Sequence, residues 1–258
     1  MRGKLESKKE EVRVRDRERH MECIDDFFLT EEEKATTPSN SDGISPELES
    51  LLRSSACQLI QEAGILLRLP QVAMCTAQIL LQRFFFHKSL RRYDVTLIAM
   101  SALFLSSKLE EEPRRSRSII TVFHHLRSRI LSSSSSSSTL DSPSLFSSPS
   151  HHHLDVGTSA YFQMKDDLFR FERSLLIQMG FRVHCTHPYK YMLPYAKIIQ
   201  QEGNKEVLQF AVNCINDSYR TPVHVTHTGR AIAVSALFMA VREKGVALPE
   251  EKGEEWWR

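Results

Sequence analysis

One apolar helix pattern occurs twice in this chain of 258 residues, and it constrains the fold more than any other feature. The first copy is LIAMSALFLSSKLEEE at 97–112, and the second is AIAVSALFMAVREKG at 231–245. A shift of 134 residues superimposes six identical residues within eight consecutive positions, which indicates an internal duplication. Between Leu97 and Leu109 every residue of the first copy except Lys108 is apolar or small, on every face, and such a helix must be surrounded by other helices. The sequence therefore predicts two helical bundles, each built around a buried central helix.

Amphipathic helices surround the first copy in the sequence. Apolar residues recur at intervals of three and four on both sides of Pro70, which predicts two helices before the central one. Two more helices are predicted after it, over about 115–131 and about 159–180. The start and stop signals are the N-cap sequence Ser45-Pro46-Glu47, the N-cap Asp94 and the C-terminal Gly180. The first bundle is therefore predicted to be all-α, with five helices over residues 44–183.

Two stretches have compositions that cannot bury enough apolar surface to fold. Residues 1–43 are mostly charged or polar, and we expect a disordered N-terminal arm. Residues 132–153 are expected to be a disordered insertion in a loop, because twelve of the nineteen residues 132–150 are serine. Ser142 and Ser148 each precede a proline and are candidate phosphorylation sites, and the alternative is an inert linker.

The second copy of the pattern is followed by only a short stretch of sequence. About a dozen residues remain after the second central helix, at the point where the first bundle has two more helices. Residues 184–258 are therefore predicted to form a partial second bundle of about three helices. Either the chain is a truncated product or fragment, or the second bundle is incomplete in the functional protein.

Composition argues against several classes of protein. The formal charge is +2 at pH 7, so net charge indicates no nucleic-acid partner, and direct nucleic-acid binding is not expected. The five cysteines contain no Cys-x-x-Cys pair and the histidines have no companion ligands, so no metal site is predicted. No phosphate-binding glycine loop or nucleophile motif is present, so we predict neither a cofactor nor a catalytic residue. No run of about 18 apolar residues offers a membrane span, and we expect a soluble intracellular protein.

A resemblance to a known family rests on long motifs. A five-helix bundle present twice, whose first central helix ends SSKLEEEPRR, resembles the cyclin family. The motifs LIQEAGILLRLPQVAMCTAQILLQRFFFHKS, SSKLEEEPRRSRSIITVFHHLR and HPYKYML are similar to the cyclin L branch. The resemblance covers about Phe28 to Pro249. It implies tandem cyclin boxes, the first complete and the second partial, and no enzymatic activity of the chain itself.

The resemblance implies a kinase-binding surface on the first bundle. The Lys and Glu that pair across the third and fifth helices of cyclins match Lys108 and Glu172. The further residues that the resemblance adds to this surface are Leu109, Glu110, Glu111, Leu176 and Phe181. In the second copy Arg242 takes the place of Lys108 but is followed by Glu-Lys-Gly, so the surface is expected only once. Arg114 and Arg115 abut it and are candidate contacts to phosphate, on a kinase loop or on RNA, and the alternative is a solvated face.

The partner implied by the resemblance is a cyclin-dependent kinase that acts on RNA polymerase II transcription and pre-mRNA splicing. The expected location is the nucleus. A rigid helical surface that contacts only the active arrangement of a kinase shifts the kinase toward that arrangement. Two alternatives stay open from sequence alone: a cyclin-fold nucleic-acid adaptor of the TFIIB-like type, and a non-functional truncated cyclin product.

Overall fold

The structure is a computed structural model that describes residue 29 and residues 36–135, 154–155 and 157–246. Throughout these residues the regular structure is helical, and no strand occurs. The elements are α1 (Pro38–Ser41), α2 (Pro46–Leu66), α3 (Gln71–His87), α4 (Val95–Leu109), α5 (Ser116–Ser135), α6 (Ser159–Gln178), α7 (Tyr189–Ile198), α8 (Lys205–Ser218), a 3-10 helix (Pro222–Val225) and α9 (Gly229–Glu243). The prediction of an all-α fold is therefore confirmed.

Contacts between the elements divide the chain into two compact units. The first unit contains α1 to α6 within Ala35–Phe181, together with Tyr219–Thr221. The second unit contains α7, α8, the 3-10 helix and α9. Leu29 belongs to the second unit, where its N–H donates to the Val225 carbonyl at 2.9 Å. The domain boundaries that the sequence places after residues 43 and 183 stay predictions.

Local capping groups begin and end the long helices of the first unit. Ser45 Oγ accepts a hydrogen bond of 3.3 Å from a backbone N–H in the first turn of α2. Asp94 Oδ1 accepts from the N–H groups of Thr96 and Leu97, at 2.7 and 3.2 Å, at the start of α4. Gly180 follows α6 with a φ of +54°, the left-handed conformation that glycine adopts without steric cost. Each of these caps was expected from the sequence, because capping depends on the residues at the helix end itself.

Helix α4 is the centre of the first unit. It contacts each of the other four long helices of that unit, α2, α3, α5 and α6. Every residue from Ile98 to Ser107 is buried. Ser101 Oγ donates to the Leu168 carbonyl of α6 at 3.2 Å, so a polar group inside the core is satisfied. The predicted central helix is therefore confirmed.

The second unit repeats the central helix in register. Helix α9 begins and ends 134 residues after α4, and its N-cap Thr228 stands where Asp94 caps α4. The helices that pack on α9 are α7, α8 and the 3-10 helix, fewer than the four long helices around α4. Phe238 and Met239 of α9 are consequently 46% and 49% exposed, whereas their equivalents in α4 are buried. One sequence pattern therefore occupies two different environments.

Two segments extend the ordered structure beyond the sequence prediction. Inside the stretch predicted as an arm, Thr37 Oγ1 accepts from the N–H of Asn40 at 3.2 Å and caps α1. The same hydroxyl donates to the buried Glu49 carboxylate of α2 at 2.6 Å, so residues 36–43 pack on the first unit through paired polar groups. Helix α5 continues to Ser135, four residues past its predicted end.

Candidate partner-binding surface

Lys108 and Glu172 pair across α4 and α6. The ammonium group of Lys108, in the last turn of α4, forms a salt bridge with Glu172 Oε1 of α6. The Lys108 side chain is 42% exposed and the Glu172 side chain 12% exposed, so the pair lies at the margin of the core. An ammonium group has three donors and a carboxylate has two acceptor oxygens. The pair therefore retains hydrogen-bonding capacity for another molecule.

Two aromatic rings adjoin this pair. Lys108 Nζ lies 4.0 Å from the centroid of the Phe104 ring, within cation–π distance. The Phe104 ring packs edge to face against Phe169 of α6, with 5.9 Å between the ring centroids. Phe169 is 44% exposed, and Phe162, two turns earlier on α6, is 53% exposed. The cyclin motifs identify neither phenylalanine. However, Phe162, Phe169 and Leu176 follow one another at intervals of seven residues, and this helical spacing is a sequence signal that would find both phenylalanines.

An acidic turn follows α4. The N–H groups of Glu111 and Glu112 donate back to carbonyls of the last turn of α4, at 3.3 and 2.9 Å, which is a Schellman ending. Glu111 has a φ of +58°, a left-handed conformation that costs a non-glycine residue about 1–2 kcal/mol. The equivalent residue of the second copy is Gly245, with a φ of +60°. Glu110 Oε1 accepts from Thr76 Oγ1 of α3 at 2.7 Å, so Glu110 is held in place while Glu111 stays exposed.

Apolar side chains extend the surface beyond the ion pair. Leu109 is 37% exposed at the end of α4, and Leu176 lies half-buried one turn after Glu172. The Phe181 N–H donates to the Leu176 carbonyl at 3.0 Å, and the Phe181 side chain is 70% exposed. Exposed apolar groups rimmed by charge are typical of protein interaction sites. We call this surface the α4–α6 rim, and its residues are Lys108, Leu109, Glu110, Glu111, Phe169, Glu172, Leu176 and Phe181.

Arg114 and Arg115 have different surroundings. Arg114 Nε donates to the Leu67 carbonyl at 3.1 Å, and Arg114 Nη2 donates to the Arg68 carbonyl at 2.9 Å. Its Nη1 forms an ion pair of 3.1 Å with the Glu112 carboxylate. Arg114 thus fastens the turn after α2 to the loop before α5. The Arg115 side chain is exposed and has no hydrogen bond or ion pair within the described residues, so it is the freer of the two predicted phosphate contacts.

The remaining predicted sites are few. Ser142 and Ser148 lie outside the described residues, so their phosphorylation stays a prediction. In the part of the chain that the structure describes, no group of three or more His, Cys, Asp or Glu residues is placed to hold a metal ion. Among the helices of that part, none has the length and apolar character needed to cross a membrane. Arg242, the equivalent of Lys108, is exposed and makes no ion pair within residues 157–246 or the other described ranges.

Comparison with known proteins identifies the family. Residues 23–184 match the family model described as cyclin, N-terminal domain. The chain belongs to the cyclin family. The matched region contains helices α1 to α6 and every residue of the α4–α6 rim. This match favours a cyclin over the TFIIB-like adaptor that the sequence left open.

Cyclin L proteins are among the relatives of this cyclin. Cyclin-L1-1 of Oryza sativa subsp. japonica is 41% identical over 235 residues, which cover 91% of this chain and 50% of that protein. Cyclin-L1 of Homo sapiens is 39% identical over 226 residues, which cover 88% of this chain and 40% of that protein. The chain thus spans half the length of these relatives or less. The resemblance to cyclin L is confirmed.

Solved structures share the fold of this cyclin. A chain of the yeast RNA Pol II CTD kinase CTDK-1 complex superimposes with a TM-score of 0.67 at 15% identity, covering 88% of this chain and 65% of that chain. A chain of the yeast TFIIK complex superimposes with a TM-score of 0.57 at 18% identity, covering 84% of this chain and 87% of that chain. At these identities the similarity shows the fold alone, and it agrees with tandem cyclin boxes.

Proposed function

We propose that this cyclin is the regulatory subunit of a cyclin-dependent kinase, which it binds through the α4–α6 rim and thereby activates. The observation that carries the proposal is the Lys108–Glu172 pair, which lies at the edge of a tightly packed core beside exposed apolar side chains. In this proposal the chain is not an enzyme and needs no cofactor. The similarity to a chain of a complex named as a kinase supports the proposal at the level of fold.

The rim combines two kinds of contact. Phe169 and Phe181 offer exposed aromatic area, and aromatic residues are enriched among those that dominate binding energy. Lys108 and Glu172 offer charged groups, which fix orientation more than they add affinity. A partly exposed ion pair contributes only about 0–1 kcal/mol to stability. The pair is therefore better explained by recognition than by stability of the first unit.

Activation follows from differential binding. A kinase whose regulatory helix is mostly displaced needs about 5.5 kcal/mol of bias to pass from 1:99 to 99:1 in favour of the active arrangement. A surface that contacts only the active arrangement supplies this bias. The active arrangement aligns an ion pair of the kinase with the ATP phosphates. Helix α4 is surrounded by four helices, so the end that carries Lys108 resists deformation and cannot follow a displaced kinase helix.

The kinase is further proposed to act on RNA polymerase II transcription and pre-mRNA splicing, in the nucleus. This finer proposal is supported by the cyclin L relatives and by the name of the CTDK-1 complex, an RNA Pol II CTD kinase. Arg115 is proposed to contact a phosphorylated loop of that kinase, since its guanidinium makes no hydrogen bond or ion pair within the described residues and guanidinium groups bind phosphate through paired hydrogen bonds. Residues 44–183 and 184–258 are proposed as the complete and the partial cyclin box.

The test compares the wild-type chain with the double variant Lys108→Ala/Glu172→Ala. Each protein is immobilised and then incubated with nuclear extract. Bound kinases are identified by mass spectrometry, and their activity is measured on an RNA polymerase II C-terminal repeat peptide. The wild type is expected to retain a cyclin-dependent kinase, and the variant at least about tenfold less. Tenfold corresponds to about 1.4 kcal/mol of binding free energy, lost with the charged contacts that fix the orientation of the kinase. Both charges are removed so that neither is left unpaired in the free chain.

The matched control is a second Lys–Glu pair. Lys244 Nζ lies 3.2 Å from Glu206 Oε2 in the second unit, away from the rim residues in sequence. The variant Lys244→Ala/Glu206→Ala is expected to recover as much kinase as the wild type. Equal recovery by both double variants would place the kinase contact elsewhere. A wild-type chain that retains and activates no cyclin-dependent kinase would reject the proposed function.

A further inference from the structure

A basic groove lies beside the turn that follows α2. Its volume is about 440 Å³, and it is lined by the end of α2, the first two turns of α5 and Leu154. Of its nine lining residues three are arginines, namely Arg68, Arg114 and Arg117, and none is acidic. Ser118 and Thr121 add two hydroxyl groups on α5. Within the described residues the groove therefore presents positive charge and hydrogen-bond donors.

The three arginines are not equivalent. Arg114 is engaged, because its nitrogens donate to the carbonyls of the turn after α2 and pair with Glu112. The side chains of Arg68 and Arg117 are exposed and form no hydrogen bond or ion pair in the part of the chain described. Two exposed arginine side chains that have no partner among the described residues therefore line one groove, and a guanidinium fork matches the geometry of a phosphate group.

Arg68 occupies a backbone position that favours glycine. Its φ is +53°, and the Leu69 N–H donates to the Gly64 carbonyl at 2.9 Å, so Arg68 is the left-handed residue of a Schellman ending of α2. Such a conformation is strained for any residue with a side chain, and strain of this kind concentrates at functional sites. A charged residue therefore stands at a position whose backbone conformation favours glycine.

The rest of the lining favours a peptide over a nucleic acid. Leu66 is 53% exposed and Val122 is half-buried, so the groove offers an apolar wall beside its charged groups. None of the nine lining residues is aromatic, whereas proteins that bind single-stranded RNA stack bases on aromatic rings. A volume of about 440 Å³ accommodates a phosphate group together with a neighbouring side chain. Charge and shape together point to a phosphorylated residue beside an apolar one.

We propose that this groove binds a phosphorylated serine or threonine in a segment of a partner protein. Arg68 and Arg117 bind the phosphate, with Ser118 and Thr121 as further donors, and the apolar wall accepts a side chain next to the phosphorylated residue. The proposal goes beyond kinase binding and does not depend on it. The first unit alone supplies every residue of the site.

The test measures fluorescence polarisation of a labelled peptide, Leu-Leu-phosphoserine-Pro-Leu-Leu, with the full chain and no kinase present. The phosphorylated peptide is expected to bind at least about tenfold more tightly than its unphosphorylated twin, and affinity is expected to fall as salt rises. Arg68→Gly and Arg117→Gln are each expected to lower the affinity about five- to tenfold, the effect of losing about one charge-assisted contact. Arg127→Gln, on the same helix but outside the groove, is the matched control and is expected to change nothing.

Arg68→Gly separates binding from folding. Because glycine relieves the left-handed strain, this variant is expected to unfold at the same temperature as the wild type or higher, while it loses peptide affinity. Equal affinity for both peptides, or an affinity unchanged in Arg68→Gly and Arg117→Gln, would overturn the proposal. A single-stranded RNA that binds with dependence on these arginines, when the phosphopeptide does not bind, would assign the groove to RNA instead. All these outcomes are independent of whether a kinase is recovered.

Discussion

The duplicated central helix allows one substitution to be made twice in equivalent positions. Leu103 of α4 and Leu237 of α9 are 134 residues apart, and they are 0% and 1% exposed. Leu103→Ala and Leu237→Ala remove the same atoms from the same local sequence. The difference between the two losses of stability therefore reports how firmly the surroundings of each helix hold their shape.

The structure gives the size of that difference. A leucine-to-alanine change in a core costs about 2–5 kcal/mol, and the cost rises with the volume of the cavity that remains. Around Leu103 four helices pack and all residues from Ile98 to Ser107 are buried, so little collapse is available and we expect about 4–5 kcal/mol. Next to Leu237 the side chains of Phe238 and Met239 are about half exposed and can move inward, so we expect about 2–3 kcal/mol.

Hydrogen exchange measures the two losses separately. Mass spectrometry of peptides from α4 and α9 reports the opening free energy of each helix in the full chain, before and after its own substitution. The expected result is a loss in α4 that exceeds the loss in α9 by about 2 kcal/mol. A loss in α9 equal to or larger than that in α4 would refute the argument that incomplete packing makes the second helix more tolerant.

Three further predictions concern single residues. Glu111→Gly is expected to raise the free energy of unfolding by about 1 kcal/mol in urea titrations, because it relieves a left-handed residue. The same variant is expected to recover less kinase in the pull-down, because Glu111 belongs to the proposed α4–α6 rim. Burial, with a smaller contribution from nearby His187, lowers the pKa of His224 to about 3. Between about pH 6.5 and pH 3 the unfolded chain therefore binds a proton at His224, whereas the folded chain does not. The free energy of unfolding should therefore fall by up to about 1.4 kcal/mol per pH unit as pH decreases below about 6.5. The urea midpoints measured at pH 7 and at pH 5 should differ less in His224→Gln than in the wild type. Gly64→Ala places a Cβ against the Met74 side chain and is expected to lower the free energy of unfolding by about 1–3 kcal/mol in urea titrations. A second change, Met74→Ala, should reduce that loss.

The helices were predictable where local chemistry defines them. Ser45, Asp94 and Gly180 act within a few residues of their own positions, so their capping roles are visible in the sequence. The apolar character of α4 on all faces likewise required a surrounding bundle. The order of residues 36–43 was not predictable, because it depends on the Thr37–Glu49 hydrogen bond between segments 12 residues apart in an otherwise polar stretch.

The candidate site was predictable only in part, because its residues meet over long separations. The pairing of Lys108 with Glu172 came from the family resemblance, since nothing local links residues on α4 and α6. The family motifs do not include Phe169, and its ring contact with Phe104 of α4 joins residues that are 65 positions apart in the sequence. Arg114 stays a predicted phosphate contact. The structure adds that its nitrogens donate to carbonyls 46 and 47 residues earlier in the chain, a role that no pattern of charge reveals.

The acidic turn after α4 is fastened on both sides in the free chain. Glu110 accepts a hydrogen bond from Thr76, and Glu112 forms an ion pair with Arg114. Arg114 in turn donates to the Arg68 carbonyl, directly after α2. Ordering one flexible side chain at an interface costs about 0.5–1.5 kcal/mol. Since that ordering has already taken place before any partner arrives, a partner meets a turn whose shape is set in advance. Recognition of this turn is accordingly a question of complementary shape, with little left to rearrange on contact.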